Sequence, residues 1–442
     1  MAPYRVLVVD DSPFMRKIFS DLIVQDPQFT IVATACNGLE AIEAVKKWKP
    51  DAVTLDLEMP ELNGLDALQR IMIEQPTPVI MLSGISEENT RETIKALQLG
   101  AFDFIRKPMG AFSNDIVRVG ELLLEKLRIA VLTRRYSASV MDTDKKKASM
   151  KRDKPEQSQL VQPVKSLEER KNRKRGLLQP EQQAEARDAS APAFEKKTRA
   201  SGGLRNPIKP LTDGGRPYEA APIIPVAPVA AALEENREQK RYRQKTASDS
   251  FDQLIAIGTS TGGPRALHEV ITSLPARLAA PVLVVQHMPP KFTKSLAQRL
   301  DSFSELEVVE ASQGERLKAG VVYIAPGGHH MELAKDQSGY YVQLTQKPPC
   351  NGHRPSVDVL FESLTPFDEL KRHAVIMTGM GSDGAKGMKA LVDSGAESAI
   401  AESEQTCVVY GMPRSAIETG CVKTVLPLQQ IAAELQHAVL KG

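Results

Sequence analysis

Between residues 137 and 250 the chain almost stops supplying aromatic side chains, and Lys, Arg, Gln, Glu, Ser, Ala and Pro take over. No other feature constrains the fold as much. A segment of that composition cannot bury enough apolar surface to offset the entropy of ordering it. The chain is thereby divided into two blocks, each of which must build its own core. The segment carries 24 basic against 16 acidic side chains, a net +8, whereas residues 1–136 and 251–442 each come to −3. Its basic runs include Lys145-Lys146-Lys147 and Lys171-Asn172-Arg173-Lys174-Arg175, and Pro222 to Ala232 is rich in Pro, Ala and Val. The expected organisation is a first domain at 1–130, a flexible basic linker at 131–250 with a transient helix around Leu233 to Lys245, and a second domain at 251–442. The basic runs could touch RNA or an acidic partner, but a solvated linker is the simpler reading. Neither flanking domain is a nucleic-acid surface on charge grounds, so no nucleic-acid partner is expected.

Both blocks alternate short apolar runs with helical patterns. In the first, Arg5 to Val9, Ala52 to Leu55, Val79 to Leu82 and Phe102 to Ile105 read as strands, and Gly38 to Trp48 and Glu88 to Leu99 as helices. In the second, Leu254 to Ile257, Pro281 to Gln286, Gly320 to Ala325, Tyr340 to Leu344, Ala374 to Met377 and Ser398 to Ala401 read as strands. Such alternation predicts an α/β fold with two doubly wound parallel sheets, each covered on both faces. No apolar run approaches the roughly 18 residues of a membrane span. The N-terminus leads into a strand without a signal-peptide pattern, so a cytoplasmic location without membrane insertion is expected. Cys36, Cys350, Cys407 and Cys421 show no CxxC spacing and read as free thiols in a reducing compartment.

Two sets of polar residues sit where strands end. Asp10 and Asp11 close the first strand, and Asp56 closes another in Leu55-Asp56-Leu57-Glu58-Met59-Pro60. Open parallel sheets bind ligands at the carboxyl ends of their strands. Three carboxylates converging there repel one another unless a hard cation such as Mg²⁺ lies among them. One carboxylate can then attack phosphorus. Ser83 ends a third strand and Lys107, followed by Pro108, a fourth; they supply a hydroxyl and a cation.

In the second block, Ile257-Gly258-Thr259-Ser260-Thr261-Gly262-Gly263 turns from a buried strand toward a helix, as a nucleophile elbow does. Ser260 needs a base, and His287 ends the run Val282 to Gln286. Asp383, in Thr378-Gly379-Met380-Gly381-Ser382-Asp383-Gly384, follows another strand and could orient that histidine. Glycines around Met380 would let backbone N–H groups approach an oxyanion. The order Ser, His, Asp is not that of α/β-hydrolases. From the residues alone, anion binding by the Gly-rich turn competes with catalysis, although the turn has no GxGxxG.

The acidic pair, Asp56 with Met59-Pro60 and Gly64, Ser83 and Lys107-Pro108 together resemble the receiver domain of bacterial response regulators, over residues 4 to about 128. That resemblance implies Asp56 as phosphoacceptor, Asp10, Asp11 and Asp56 as Mg²⁺ ligands, Ser83 and Lys107 as phosphate contacts, and Phe104 as an aromatic that repacks. Gly258 to Gly263, Gln286 to Pro290, Ala325 to His330, Arg354 to Asp358, Thr378 to Gly384 and Val408 to Pro413 resemble the chemotaxis protein-glutamate methylesterases, whose architecture also begins with a receiver. Carried over by motif, Ser260 is the nucleophile, His287 the general base, Asp383 its orienter, and the Met380 backbone part of the oxyanion hole. His330, Arg354 and Asp358 fall in motif segments as cleft or support residues. His268, His373 and His437 match no motif. Two departures stand out. The linker is long where the family's is usually short, and Cys407 stands where a small hydroxyl residue is frequent, a swap expected to be tolerated although it could make the site thiol-sensitive.

The resemblance implies a phosphorylation-activated hydrolase of glutamate methyl esters on chemoreceptors, with deamidation of receptor glutamines by the same acyl chemistry. Ester hydrolysis itself would need no cofactor. The expected partners are methylated chemoreceptor cytoplasmic domains and a histidine kinase as phosphodonor, with the protein acting as a monomer. A competing reading is a non-catalytic, phosphorylation-controlled interaction module. A nucleic-acid regulator is a third, but residues 251–442 carry no helix-turn-helix signature.

Overall fold

The computed structural model describes residues 2–108, 115–133 and 250–441. The expected linker beyond residue 133, with its basic runs and transient helix, lies outside the described residues.

The first lobe runs β1 (Tyr4–Val9), α1 (Pro13–Val24), β2 (Phe29–Ala35), α2 (Gly38–Trp48), β3 (Ala52–Asp56), α3 (Gly64–Glu74), β4 (Val79–Ser83), α4 (Glu87–Gln98), β5 (Asp103–Arg106) and α5 (115–133). The first four helices start at Ser12, Asn37, Asn63 and Ser86, whose side chains each accept a backbone N–H of the first turn. These residues supply the acceptor that a helix N-terminus lacks. The strands pair in parallel in the order β2-β1-β3-β4-β5. Side chains alternate between faces along each strand. Leu7, Val9, Val53, Leu55 and Met81 join a core with Ile42, Leu68 and Ile94 of α2, α3 and α4. Val6, Val8, Ile80 and Leu82 join another with Phe19, Leu22 and Leu123 of α1 and α5.

The second lobe runs β6 (Gln253–Thr259), α6 (Gly263–Thr272), β7 (Val282–Gln286), α7 (Phe292–Asp301), β8 (Glu307–Glu310), β9 (Val321–Ile324), β10 (His330–Asp336), β11 (Gly339–Thr345), α8 (Val357–Ser363), β12 (Lys371–Ile376), α9 (Ala385–Asp393), β13 (Ser398–Glu402), α10 (Met412–Glu418), β14 (Thr424–Leu426) and α11 (Leu428–Lys441). Seven strands pair in parallel in the order β14-β13-β12-β6-β7-β9-β8. Ile255 and Ile257 pack with the α6, α7 and α11 side of the core. Leu254 and Ala256 pack with that of α8, α9 and α10. Both lobes are therefore doubly wound, as the alternation of patterns requires.

One strand departs from expectation. The run Tyr340 to Leu344 pairs antiparallel with β10 in a hairpin outside the main sheet. Only Gln337 and Ser338 separate its two strands. A two-residue link can join antiparallel strands but never parallel ones. No helix among the described residues is long and apolar enough to cross a membrane.

All strands of the second sheet run the same way, but the strand order switches sides at β6. β7 is laid on one side of it and β12 on the other. The carboxyl ends of these three neighbouring strands form the crevice in which an open α/β sheet binds its ligand.

Candidate functional site

At the carboxyl edge of the first sheet, Asp10, Asp11 and Asp56 each bring a carboxylate oxygen within 4.8 Å of the others. Asp10 and Asp56 are buried, and Asp11 is exposed. Lys107 Nζ lies 2.8 Å from Asp10 Oδ2 and 2.8 Å from Asp56 Oδ1. Burial pushes Asp56 up to about 6, with Lys107 pulling the other way and Asp10 and Asp11 adding repulsion. One lysine thus serves two buried carboxylates, and Asp10 Oδ2 has no donor in hydrogen-bond geometry. An all-oxygen, under-neutralised cluster of this kind fits a small divalent cation. Ser83 is not turned toward it; its hydroxyl lies 2.6 Å from Thr93 Oγ1 and donates to Gly84 O.

In the second lobe, Ser260 follows β6, His287 follows β7, and Asp383 lies in the loop after β12. The Ser260 N–H donates to Thr378 O at 3.1 Å, which ties the serine turn to the β12 loop. Gln286 Nε2 donates to Ser260 O at 3.0 Å, and its Oε1 accepts from Thr259 Oγ1 at 2.7 Å. Gly262 has φ +81, and a Cβ on Gly379 would sit 2.9 Å from Ser260 Cβ. The turn therefore needs glycine at Gly262 for its left-handed backbone and at Gly379 for close approach.

His287 Nε2 lies 2.8 Å from Asp383 Oδ2. Asp383 is 1% exposed yet well provided with donors. Val357 N–H donates to Oδ2 at 2.7 Å. Ser356 Oγ, Asn351 Nδ2 and Asp358 N–H donate to Oδ1 at 2.7, 2.9 and 3.3 Å. Burial alone would raise this carboxyl, but the bonds from His287, Asn351 and Val357 outweigh it and hold it well below the usual range. It is an ionised acceptor facing His287. The other ring nitrogen, His287 Nδ1, is buried without a hydrogen-bond partner, and Ser260 Oγ makes no hydrogen bond among the described residues.

The remaining motif residues hold this arrangement in place. His330 is buried, with Nδ1 accepting from Ser356 N–H at 3.2 Å and Nε2 3.2 Å from Pro348 O. Asp358 receives Gly387 N–H and Asn351 Nδ2. Arg354 Nη1 donates to Gln346 O and Lys347 O. Gly379 N–H is committed to Val409 O, and Met380 is the next residue along. Glu402 is fully buried and accepts the Thr378 N–H. Of the motif-less histidines, His373 is buried between Ser398 and Gln253, and burial lowers it to about 4. All four cysteines are free thiols. Burial pushes the Cys407 thiol far up, which favours its protonated, less nucleophilic form.

Sequence reasoning missed Asn351 and His353, and it gave no role to Ser356 and Gln286 although both lie in motif segments. For the first two a signal existed: Asn351-Gly352 is a strong two-residue turn dipeptide. It also missed a contact between the lobes, which belong to one compact unit. Thr261 Oγ1, next to the serine, donates to Asp103 Oδ2 at 2.6 Å. Lys126 of α5 pairs with the same carboxylate. Thr90 of α4 and Ser295 of α7 share a 2.7 Å hydroxyl pair, and Arg299 Nε donates to Gln98 Oε1 at 2.9 Å. Phe104, expected as a repacking aromatic, stacks on Phe292 with centroids 4.6 Å apart.

Comparison with known proteins agrees with both resemblances. Residues 255–435 match the family described as CheB methylesterase, and residues 6–114 the response regulator receiver domain. Curated relatives named protein-glutamate methylesterase/protein-glutamine glutaminase match end to end. The one from Geobacillus kaustophilus is 39% identical over 99% of both chains. The one from Symbiobacterium thermophilum is 40% identical over 100% of this chain and 98% of its own. These relatives are matched along nearly their whole length, so their chains are about as long as this one. The chain is also similar to the crystal structure of the Thermotoga maritima CheB methylesterase catalytic domain, at 46% identity over 42% of this chain and 99% of that one, with a TM-score of 0.41.

Proposed function

The chain belongs to the protein-glutamate methylesterase/protein-glutamine glutaminase family, and from that premise we propose how its residues divide the work. Ser260 is the nucleophile, His287 the general base, Asp383 the group that orients it, and the Met380 N–H an oxyanion donor. The substrates are γ-glutamyl methyl esters on the cytoplasmic helices of chemoreceptors, with receptor glutamines deamidated by the same chemistry. This work belongs in the cytoplasm, and the acting species is a monomer of 1–130, 131–250 and 251–442 segments.

The observation that carries the assignment is the 2.8 Å bond from His287 Nε2 to an ionised, buried Asp383, with His287 Nδ1 left free at the end of the strand beside Ser260. A histidine tied at one nitrogen to a carboxylate has the other available to take a proton. Ser260 Oγ attacks the ester carbonyl while Nδ1 accepts its proton. The tetrahedral oxyanion is held by backbone N–H donors. Collapse expels methanol, which takes the proton from Nδ1 and leaves a glutamyl ester on Ser260. Water, deprotonated by Nδ1, attacks that ester and releases glutamate and Ser260. With a glutamine side chain the first leaving group is ammonia.

Asp56 is the phosphoacceptor. Asp10, Asp11 and Asp56 would hold Mg²⁺, which supplies charge neutralisation for phosphoryl transfer when bound. A kinase phosphohistidine is the physiological donor. Before phosphorylation, Lys107 occupies the Asp56 carboxylate. A phosphoryl group adds charge and acceptor oxygens there, drawing Lys107 and a rotated Ser83 toward it. Ser83 leads to α4 through Thr93, and α4 and β5 carry the contacts to Ser295, Gln98–Arg299, Phe292 and Thr261. The docked receiver thus covers the turn that bears the nucleophile, and phosphorylation loosens it. Because a long tether lowers the receiver's effective concentration, shortening it should deepen inhibition.

Methanol release from methylated receptor membranes tests this. Release by wild type, raised by a small phosphodonor with Mg²⁺ and lost in Ser260→Ala, is the expected result. Release by Ser260→Ala at the wild-type rate would refute the nucleophile. No release by folded wild type would return the chain to the interaction-module reading.

A further inference from the structure

We propose that the turn Cys350–His353 is a positioning element for the catalytic pair, in which His353 lies flat on the His287 ring and Asn351 braces Asp383. The inference rests on the triad reading above and assigns work to residues outside it.

Cys350 N–H donates to His353 O at 3.0 Å, and His353 N–H to Cys350 O at 2.9 Å. Between them Asn351 and Gly352 have φ of 52° and 80°. Two consecutive positive φ values between such a backbone pair mark a type I′ turn, which Asn-Gly favours. The turn reaches both members of the pair. Asn351 Nδ2 donates to Asp383 Oδ1 at 2.9 Å and to Asp358 Oδ2 at 2.8 Å, bridging two buried carboxylates. The His353 ring stacks on His287 with centroids 3.8 Å apart and planes 7° from parallel.

The stack has a mechanical and an electrostatic consequence. His287 is tied through Nε2 alone, since Nδ1 has no partner. A single bond leaves the ring free to swing about it. A second flat ring on its face removes that freedom, so Nδ1 stays aimed at the position from which it takes the serine proton. His287 also gains positive charge as the reaction proceeds. A neutral aromatic face attracts a cation, so the stack tightens in the transition state. This requires His353 to remain neutral. Burial, followed by proximity to His287, lowers it to about 4, with Asp383 pulling up and Lys126 pushing down. Those three groups, from β7, the β12 loop and α5, are the charges that face it. An interaction stronger in the transition state than in the ground state changes kcat and leaves KM.

The test uses full-length protein with phosphodonor and Mg²⁺, and compares wild type, Ser260→Ala, His353→Ala, His353→Leu and His353→Phe. Leu fills volume without a flat ring, whereas Phe restores the ring without a titratable nitrogen. His353→Ala and His353→Leu should lose about tenfold or more in kcat for methanol release, the scale of a misaligned reacting group, with KM little changed. His353→Phe should recover most of that loss. By NMR, the ring-current shift of the His287 ring protons should persist in His353→Phe and vanish in the other two. Wild-type kcat in the Leu variant, or a Phe variant as damaged as Ala, would overturn the proposal. Should Ala fail to fold, the Leu and Phe pair carries the same comparison. Absence of release by wild type, or release by Ser260→Ala, would instead sink the triad reading. The ring-current shift would still report whether the two rings stack.

Discussion

Removing the Asp103 carboxylate, by Asp103→Ala, should release the catalytic lobe from its receiver without touching the nucleophile. Asp103 is 6% exposed and Thr261 7%, and their bond is 2.6 Å long. A buried hydrogen bond to a charged acceptor contributes about 1.5–3 kcal/mol. At about 1.4 kcal/mol per factor of ten, its loss weakens docking by roughly 10- to 100-fold. Asp103→Ala also strands Lys126, which pushes in the same direction. Methanol release without phosphodonor should therefore rise by up to that factor, limited by the fully activated rate. The rate with phosphodonor should stay where it is, so the fold of activation shrinks. A thermal melt and phosphorylation of Asp56 by the small donor would show that the receiver remains folded. Thr90→Val, which removes the other hydroxyl contact between lobes, should act in the same direction and more weakly. Unchanged basal release and an unchanged activation ratio in both variants would refute the idea that this contact restrains the enzyme.

Other perturbations have equally definite outcomes. Asp383→Asn should reduce kcat by about 10⁴-fold, as the same change does in a protease triad, because an amide cannot accept from every donor around it; a loss under tenfold in the methanol assay would exclude that role. The lowered Asp383 contributes stability that is complete above its unfolded pKa and is lost as pH falls below it, so wild type should lose more stability than Asp383→Asn in denaturant titrations taken down through pH 4 to 3. The raised Asp56 has the opposite sign: the folded state holds its proton more tightly, and stability falls as pH climbs from 4 toward 6. In EDTA, Asp56→Asn should melt above wild type at pH 8 and converge with it near pH 4; a lower melting temperature at pH 8 would contradict this. Gly379→Ala sets a Cβ 2.2 Å from Met412 Sδ and 2.9 Å from Ser260 Cβ, so a loss of about 1–3 kcal/mol by overpacking should accompany a fall in kcat. Normal stability and turnover in that variant would show that the turn can give way.

The acid cluster was legible because its members end strands. A polar residue that closes a β-branched apolar run in an α/β chain emerges at the carboxyl edge, and Asp10, Asp56, His287 and the Asp383 loop all followed that rule. The antiparallel hairpin at Tyr340 was misjudged because a short apolar run states nothing about its partner's direction. Ser83 was expected as a phosphate contact, and its present bond to Thr93 depends on a side-chain rotation that residue type does not encode. Asn351-Gly352 announced a turn but not what the turn would touch.

What the sequence by itself determined is local: where strands and helices lie, which faces they bury, and which polar groups stand at strand ends. Those properties depend on side-chain spacing over a few residues, and they were enough to nominate Ser260, His287, Asp383 and Asp56. Tertiary structure decided who meets whom. The order β12-β6-β7 sets Asp383 across 96 positions against His287 Nε2 rather than Nδ1, and folds His353 onto the same ring. The bond from Thr261 to Asp103 joins residues 158 positions apart, in lobes with separate sheets. Strand order and docking are chosen by crossover packing and burial summed over the whole chain. No local pattern carries that sum.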